Sequence, residues 1–220
     1  MNIFVVVEGD VGEKEVYRSW IPYVNPNLVY VNRMSDINFN NFFIISGGGY
    51  PNYYNVIDSA IDDVNGLNNI DKLVISVDSE DMNYDEKLQE IQEFIVTKSC
   101  KASIYIIIQH FCLETWALGN RIIIKDNPED SKLREYKKYF NVRKEDPEYL
   151  PGYSLEELNR AQFAAKYLRK AMNDRYRNLT YSKGIPDALL NQRYFDQVRK
   201  RCEEINHIQS FNDFLSVFQN

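Results

Sequence analysis

The chain reads as an α/β protein: a mostly parallel sheet with helices on both faces, followed by a helical extension. Three observations predict this. Runs of β-branched and apolar residues recur at 3–7, 42–45, 73–77 and 102–108, without the polar alternation of a half-exposed strand, as strands buried on both faces require. The stretches between them carry apolar residues at helical spacing, so strand and helix alternate. After residue 120 the strand signals fade and polar helical stretches take over.

Taken in order, 3–7 is a strand that ends at Glu8-Gly9. Residues 13–25 follow as a helix, with Val16, Trp20 and Val24 on one face. A short strand is expected at 28–31, and another at 42–45 that ends in Ser46-Gly47-Gly48-Gly49. Val56, Ile57, Ala60, Ile61 and Val64 form the stripe of the next helix. The strand 73–77 runs into Asp78-Ser79-Glu80-Asp81. Asn83 is placed to cap the helix after it, which carries Asp85 and Glu86 in its first turn and Tyr84, Leu88, Ile91 and Ile95 inward. Strand 102–108 ends at Gln109-His110, and 112–118 opens a short helix.

In the last hundred residues, 128–140 is expected as one helix, and Pro147 and Pro151 bracket a turn. Ser154-Leu155-Glu156-Glu157 has capping-box spacing, and Leu158, Ala161, Ala165, Leu168 and Met172 would line the long helix behind it. Residues 181–186 form a loop, 188–205 a helix, and 211–218 close the chain. We expect 1–120 as the α/β domain and 121–220 as a helical part packed on it.

With 220 residues and 44% hydrophobic content the chain can bury a sizeable core, yet it has no apolar run near the ~20 residues that a membrane helix needs. The first residues enter a strand with no basic leader, so no signal peptide is expected. Cys100, Cys112 and Cys202 are scattered and lack zinc spacing, which fits a reducing cytoplasm.

The net charge of −6 argues against nucleic acid, but its distribution argues for it. Between Arg160 and Arg201 there are eleven Lys/Arg and three Asp/Glu, which leaves 26 − 11 = 15 basic and 32 − 3 = 29 acidic residues elsewhere. Such a basic segment on an acidic body suggests a phosphate-backbone contact surface, with Arg169 and Lys170 among the contacts.

Four acids are candidate metal ligands. Glu8 and Asp78 each end a strand, where open α/β sheets place ligands. Glu80 follows one residue after Ser79, and Glu114 lies among apolar neighbours just past another strand. Hard carboxylate oxygens crowded together suit a divalent cation. Each has a plainer reading: a helix-start carboxylate for Glu8, a solvated acidic turn for 78–81, a water-facing side chain for Glu114. His110 is placed to orient a neighbour, or is an ordinary satisfied structural histidine. Gly47, Gly48 and Gly49 precede a helix and offer N–H groups to a phosphate, or form an ordinary turn; no P-loop lysine follows them. Lys183, between basic helices, could hold a scissile phosphate.

Together, Val7-Glu8-Gly9 and Asp78-Ser79-Glu80 resemble the acidic motifs of toprim domains, which have a Rossmann-like fold. Glu80 stands where that family usually has aspartate. The resemblance extends to small bacterial toprim proteins related to the overcoming-lysogenization-defect nucleases and to RloB-like abortive-infection proteins, through Glu13, Ser46 to Gly49 and Leu113 to Trp116. It covers residues 1–120. It implies phosphodiester hydrolysis on DNA or RNA dependent on Mg²⁺ or Mn²⁺, with Glu8, Asp78, Glu80 and Glu114 as metal ligands and Glu8, Asp78, Glu80 and Lys183 as catalytic groups. It also implies a separate ATPase partner in antiviral defence, because this chain has no Walker motif. A non-catalytic toprim-like subunit that binds a partner protein or nucleic acid is the alternative. A receiver-like module phosphorylated at Asp78 would leave the basic helices without a role.

Overall fold

The computed structural model describes residues 1–176 and 179–219. The described elements, in chain order, begin with β1 (Ile3–Val7), α1 (Val11–Val24), β2 (Val29–Tyr30), β3 (Asn41–Ser46) and α2 (Tyr53–Gly66). Then come β4 (Lys72–Asp78), α3 (Tyr84–Ile95), β5 (Ser103–Gln109) and α4 (Leu113–Ala117). The last four helices are α5 (Ser131–Tyr139), α6 (Arg160–Arg175), α7 (Gln192–Ile205) and α8 (Phe211–Gln219). The five strands form one parallel sheet in the order β2-β3-β1-β4-β5, flanked by helices. β1 is central, with Val7 in register with Ser46 on one side and Ser76 on the other.

The chain forms two compact units. The first comprises residues 1–77, 84–108 and 213–220, and the second 78–83 and 109–212. The division therefore does not follow a single cut at residue 120: the chain leaves the first unit at the end of β4, and α8 returns to it.

In the first unit all five residues of β1 are buried, as its unbroken apolar run requires. Phe4 and Val6 pack with Ile57, Leu73, Ile75 and Ile91 in one core. Tyr17, Trp20 and Phe214 meet edge to face elsewhere in this unit, at 5.1 and 6.3 Å between centroids. The buried Tyr17 hydroxyl is satisfied by Ser76 Oγ at 2.6 Å. Of the predicted helix stripe, Ile57, Ala60, Ile61 and Val64 are buried and Val56 is half-buried at its edge.

In the second unit an aromatic cluster of Tyr136, Tyr153, Phe163 and Tyr167 joins α5 to α6. Arg201 is fully buried and donates to the carbonyls of Leu118, Val142 and Glu145, so its charge is solvated by backbone dipoles.

Four sequence expectations are corrected here. The capping box is Asn159 with Gln162, opening α6; Ser154–Glu156 is a single 3₁₀ turn ended by Glu157 in the left-handed conformation, which no helix continues through. The buried face of α6 is Phe163, Ala164, Tyr167, Leu168, Ala171 and Met172, which turns Ala161 and Ala165 away from the core. The helix expected over 188–205 is a 3₁₀ turn at Asp187–Leu189, then α7, because the Asn191 side chain accepts the Tyr194 N–H and restarts the helix. Likewise Asp130 caps α5, so that helix starts at Ser131, three residues after Pro128.

Candidate functional site

In the first unit β1 delivers Glu8. Its N–H donates to Ser76 O at 2.9 Å, which extends the β1–β4 ladder by one bond and buries the side chain to 7% exposure. The Gly9 N–H donates to the Glu13 carboxylate at 2.6 Å. Glu13, matched above to a family motif, therefore closes the turn after Glu8.

The glycine run packs beside it. Gly47 donates to Val7 O at 2.6 Å, Gly48 to Ser46 Oγ at 3.1 Å and Gly49 to Glu8 O at 3.0 Å. All three N–H groups that a phosphate cradle needs are thus committed inside the chain. The glycines have another explanation: Gly48 and Gly49 have φ of 72° and 77°, and a Cβ at Gly47 would stand 2.7 Å from Tyr53 Cβ.

Sequence reasoning missed the group next to this turn. The buried Lys87 ammonium donates to Tyr53 Oη at 2.7 Å and Glu90 Oε1 at 2.9 Å, and the Tyr54 hydroxyl also donates to Glu90. Burial first, then the Glu90 contact, pushes Tyr54 up to about 12. Tyr53 is raised further by burial, its bond to Tyr54, and the nearby charges, Glu8 among them.

In the second unit the turn after β4 is stitched to the chain after β5. Ser79 N–H donates to Gln109 O at 3.0 Å and Glu80 N–H to Phe111 O at 2.9 Å. These bonds hold the exposed Glu80 at φ 49°, a left-handed conformation uncommon for a side chain with a Cβ. Ser79 Oγ lies 2.8 Å from His110 Nδ1. Burial, with the Arg160 cation second, lowers His110 to about 4. Its ring is thus biased to the neutral form while it hydrogen-bonds Ser79.

Glu114, on α4, is 2% exposed and accepts the Tyr181 hydroxyl at 2.8 Å. Burial, then the Glu114 charge, raises Tyr181 well above the tyrosine range. This pair anchors the loop that carries Lys183, which is closed on itself by the Ser182–Ile185 bridge. The alternative of a water-facing Glu114 is thus set aside. Asp78, Glu114 and Lys183 all act electrostatically on one buried atom, the Cys112 sulfur: burial raises its thiol most, the two acids raise it further, and Lys183 lowers it.

A cleft of about 580 Å³ opens in the same unit. Glu80, Lys166, Arg169, Tyr181 and Lys183 line it, with Ala161 and Ala165 on its floor. Arg169 and Lys183, both singled out in the sequence, line this cleft. Lys170 is not in the cleft lining; it pairs with Asp130 at 2.8 Å. Lys166 was missed, although Gln162, Lys166 and Arg169 at spacings of four and three, beside two alanines, mark one cationic helix face with room above it. The basic segment as a whole is not one face, since Arg201 is interior and Arg160 stacks on Phe111 at 4.4 Å.

Among the described residues, no group of three or more His, Cys, Asp or Glu side chains is arranged to hold a metal ion. The carboxylates as they stand do not form a metal cage, and one oxygen of Glu114 already accepts from Tyr181. No described helix is long and apolar enough to cross a membrane. In comparisons with known proteins, no family model, no curated protein and no solved structure matches the chain.

Proposed function

We propose that this chain is a nuclease that hydrolyses phosphodiester bonds in DNA or RNA, with the cleft of the second unit as the place where the backbone lies. The observation that carries the reading is the composition of that cleft: Lys166, Arg169 and Lys183 line it with one acid, Glu80, and Lys166 also pairs with Glu156 at 3.3 Å. Cations spaced along a groove neutralise successive phosphates. Lys183 sits on a loop pinned by the Tyr181–Glu114 bond and lines the cleft with Lys166 and Arg169. A pinned cation of this kind offsets charge on a phosphate or on a leaving oxygen.

The divalent ion, Mg²⁺ or Mn²⁺, rests on the toprim resemblance alone. Glu8, Asp78, Glu80 and Glu114 remain its proposed ligands and Glu8, Asp78 and Glu80 the proposed catalytic acids. When bound it would supply Lewis-acid chemistry. The separate ATPase partner and the role in antiviral defence have the same basis. A second reading, a non-catalytic subunit that binds nucleic acid or a partner protein, is favoured by one observation: Glu114 Oε1 already accepts the Tyr181 hydroxyl.

Cleavage of a plasmid and of single-stranded DNA and RNA, with Mg²⁺ or Mn²⁺ added, tests the proposal. The expected result is cleavage by the native chain, reduced at least ~100-fold in Asp78→Ala, Glu8→Ala and Lys183→Ala, each loss on the scale of one electrostatic catalytic group. Equal cleavage by the variants overturns the assignment of residues. Binding without any cleavage selects the second reading.

A further inference from the structure

A different surface of the second unit carries a site of its own. One cavity of about 420 Å³ is lined by Arg121, Lys137, Arg143, Lys144 and Lys200, with Asp126 the one acid. Another, of about 400 Å³, has Tyr176 and Tyr194 in its wall beside the amides of Asn120 and Asn191. Ile122 and Gln197 line both, so the two cavities are neighbours across a shared wall.

The two halves differ in chemistry. In the first, Arg143 pairs with Asp126, and Lys137 is spent on the carbonyls of Lys125 and Asp126 at 2.7 Å each. That leaves Arg121 and Lys144 without a carboxylate partner among the described residues, and Lys200 with only a long contact to Glu204 at 3.7 Å. Packing five cations around one acid is unfavourable unless an anion joins them. Burial, with the Arg143 and Lys144 charges adding to it, lowers Lys137 despite the nearby Asp126. In the second half, the aromatic and aliphatic surface of Tyr176, Leu179 and Ile122 lies next to the polar Arg193 and Asp196, a wall on which a planar ring can stack; the Asn120 and Asn191 amide oxygens already accept the Ile122 and Tyr194 N–H groups. Gln197, at the shared wall, makes no side-chain hydrogen bond to any described residue, so its donor and acceptor remain for a ligand.

We propose that the paired cavities bind one nucleotide, its phosphates among Arg121, Lys144 and Lys200 and its base against Tyr176 and the aliphatic surface of Ile122 and Leu179, with Gln197 contacting the junction. The nucleotide is either a free one or a unit of a single strand. The site lies apart from the cleft lined by Glu80, Arg169 and Lys183, and shares no lining residue with it.

Calorimetric titration of the full chain tests this, with adenosine triphosphate, tripolyphosphate, adenosine and a single-stranded DNA hexamer as probes. The triphosphate should bind at least ~10-fold more tightly than either tripolyphosphate or adenosine, since only it fills both halves. The paired substitutions Lys144→Glu and Lys200→Glu, on exposed side chains, should weaken it at least ~10-fold. Gln197→Ala should weaken the nucleotide but not tripolyphosphate. A hexamer that binds ~10-fold more tightly than the triphosphate identifies a strand as the source, and the reverse order a free nucleotide. The proposal is overturned if neither probe binds at millimolar concentration, or if tripolyphosphate matches the nucleotide. It is also overturned if Arg169→Glu abolishes binding while Lys144→Glu with Lys200→Glu does not.

Discussion

The Tyr181–Glu114 hydrogen bond joins two buried groups of the second unit. Removing the donor therefore leaves a carboxylate oxygen with less solvation than it has in water. Tyr181→Phe should cost ~1–3 kcal/mol in urea unfolding, the range for a buried acceptor that loses its partner. It should also loosen the loop that carries Lys183, which faster hydrogen exchange at 182–185 would register. An unchanged exchange rate would mean that the Ser182–Ile185 bridge holds the loop by itself. His110 gives a pH signature. Its folded pKa, about 4, lies below the ordinary 6.5, so between those values the unfolded chain binds more protons. The neutral ring therefore contributes stability that is complete above about 6.5 and is lost as pH falls towards 4. Unfolding midpoints measured across that window in the native chain and in His110→Gln should converge at the acid end.

At the level of elements, the start of α6 separates two readings of the same stretch. Ser154 with Glu157 and Asn159 with Gln162 both have capping-box spacing, and sequence alone favoured the first. The structure uses the second: Asn159 Oδ1 accepts from Gln162 N at 2.8 Å, while the Gln162 side chain accepts from Asn159 N at 3.2 Å. Asn159→Ala should lower stability by ~1 kcal/mol, the usual worth of an N-cap. Ser154→Ala, at an exposed turn, should stay within ~0.5 kcal/mol. Thermal unfolding of the two variants side by side distinguishes them, and the opposite order would restore the first reading.

For the molecule as a whole, the parallel sheet was legible because β1 and β4 are apolar runs buried on both faces and because strand alternates with helix along the first half of the chain. The ends of the strands were legible for the same reason, and Glu8, Asp78 and Glu114 followed from them. Other features depended on contacts between residues far apart in the chain. Nothing local says that Glu114 meets Tyr181, or that Lys87 meets Tyr53. Nor does anything local say that the three glycine N–H groups, which looked available, donate to Val7, Ser46 and Glu8. Arg201 counted as surface charge in the sequence, yet it is a buried cation that holds three backbone carbonyls. Arg201→Met should cost at least ~3 kcal/mol, because it strands those acceptors, and denaturant titration reads the loss directly. The net charge of −6 opposes nucleic acid at long range, so binding depends on local cations. The salt dependence of binding to a labelled single-stranded oligonucleotide therefore reports directly on the cleft of Lys166, Arg169 and Lys183. The slope of log affinity against log salt should fall by ~0.7 in each of Arg169→Ala and Lys183→Ala, one released counterion per lost phosphate contact, and should stay unchanged in Lys170→Ala. Slopes in Arg169→Ala and Lys183→Ala that equal the native one would show that the nucleic acid does not lie in that cleft.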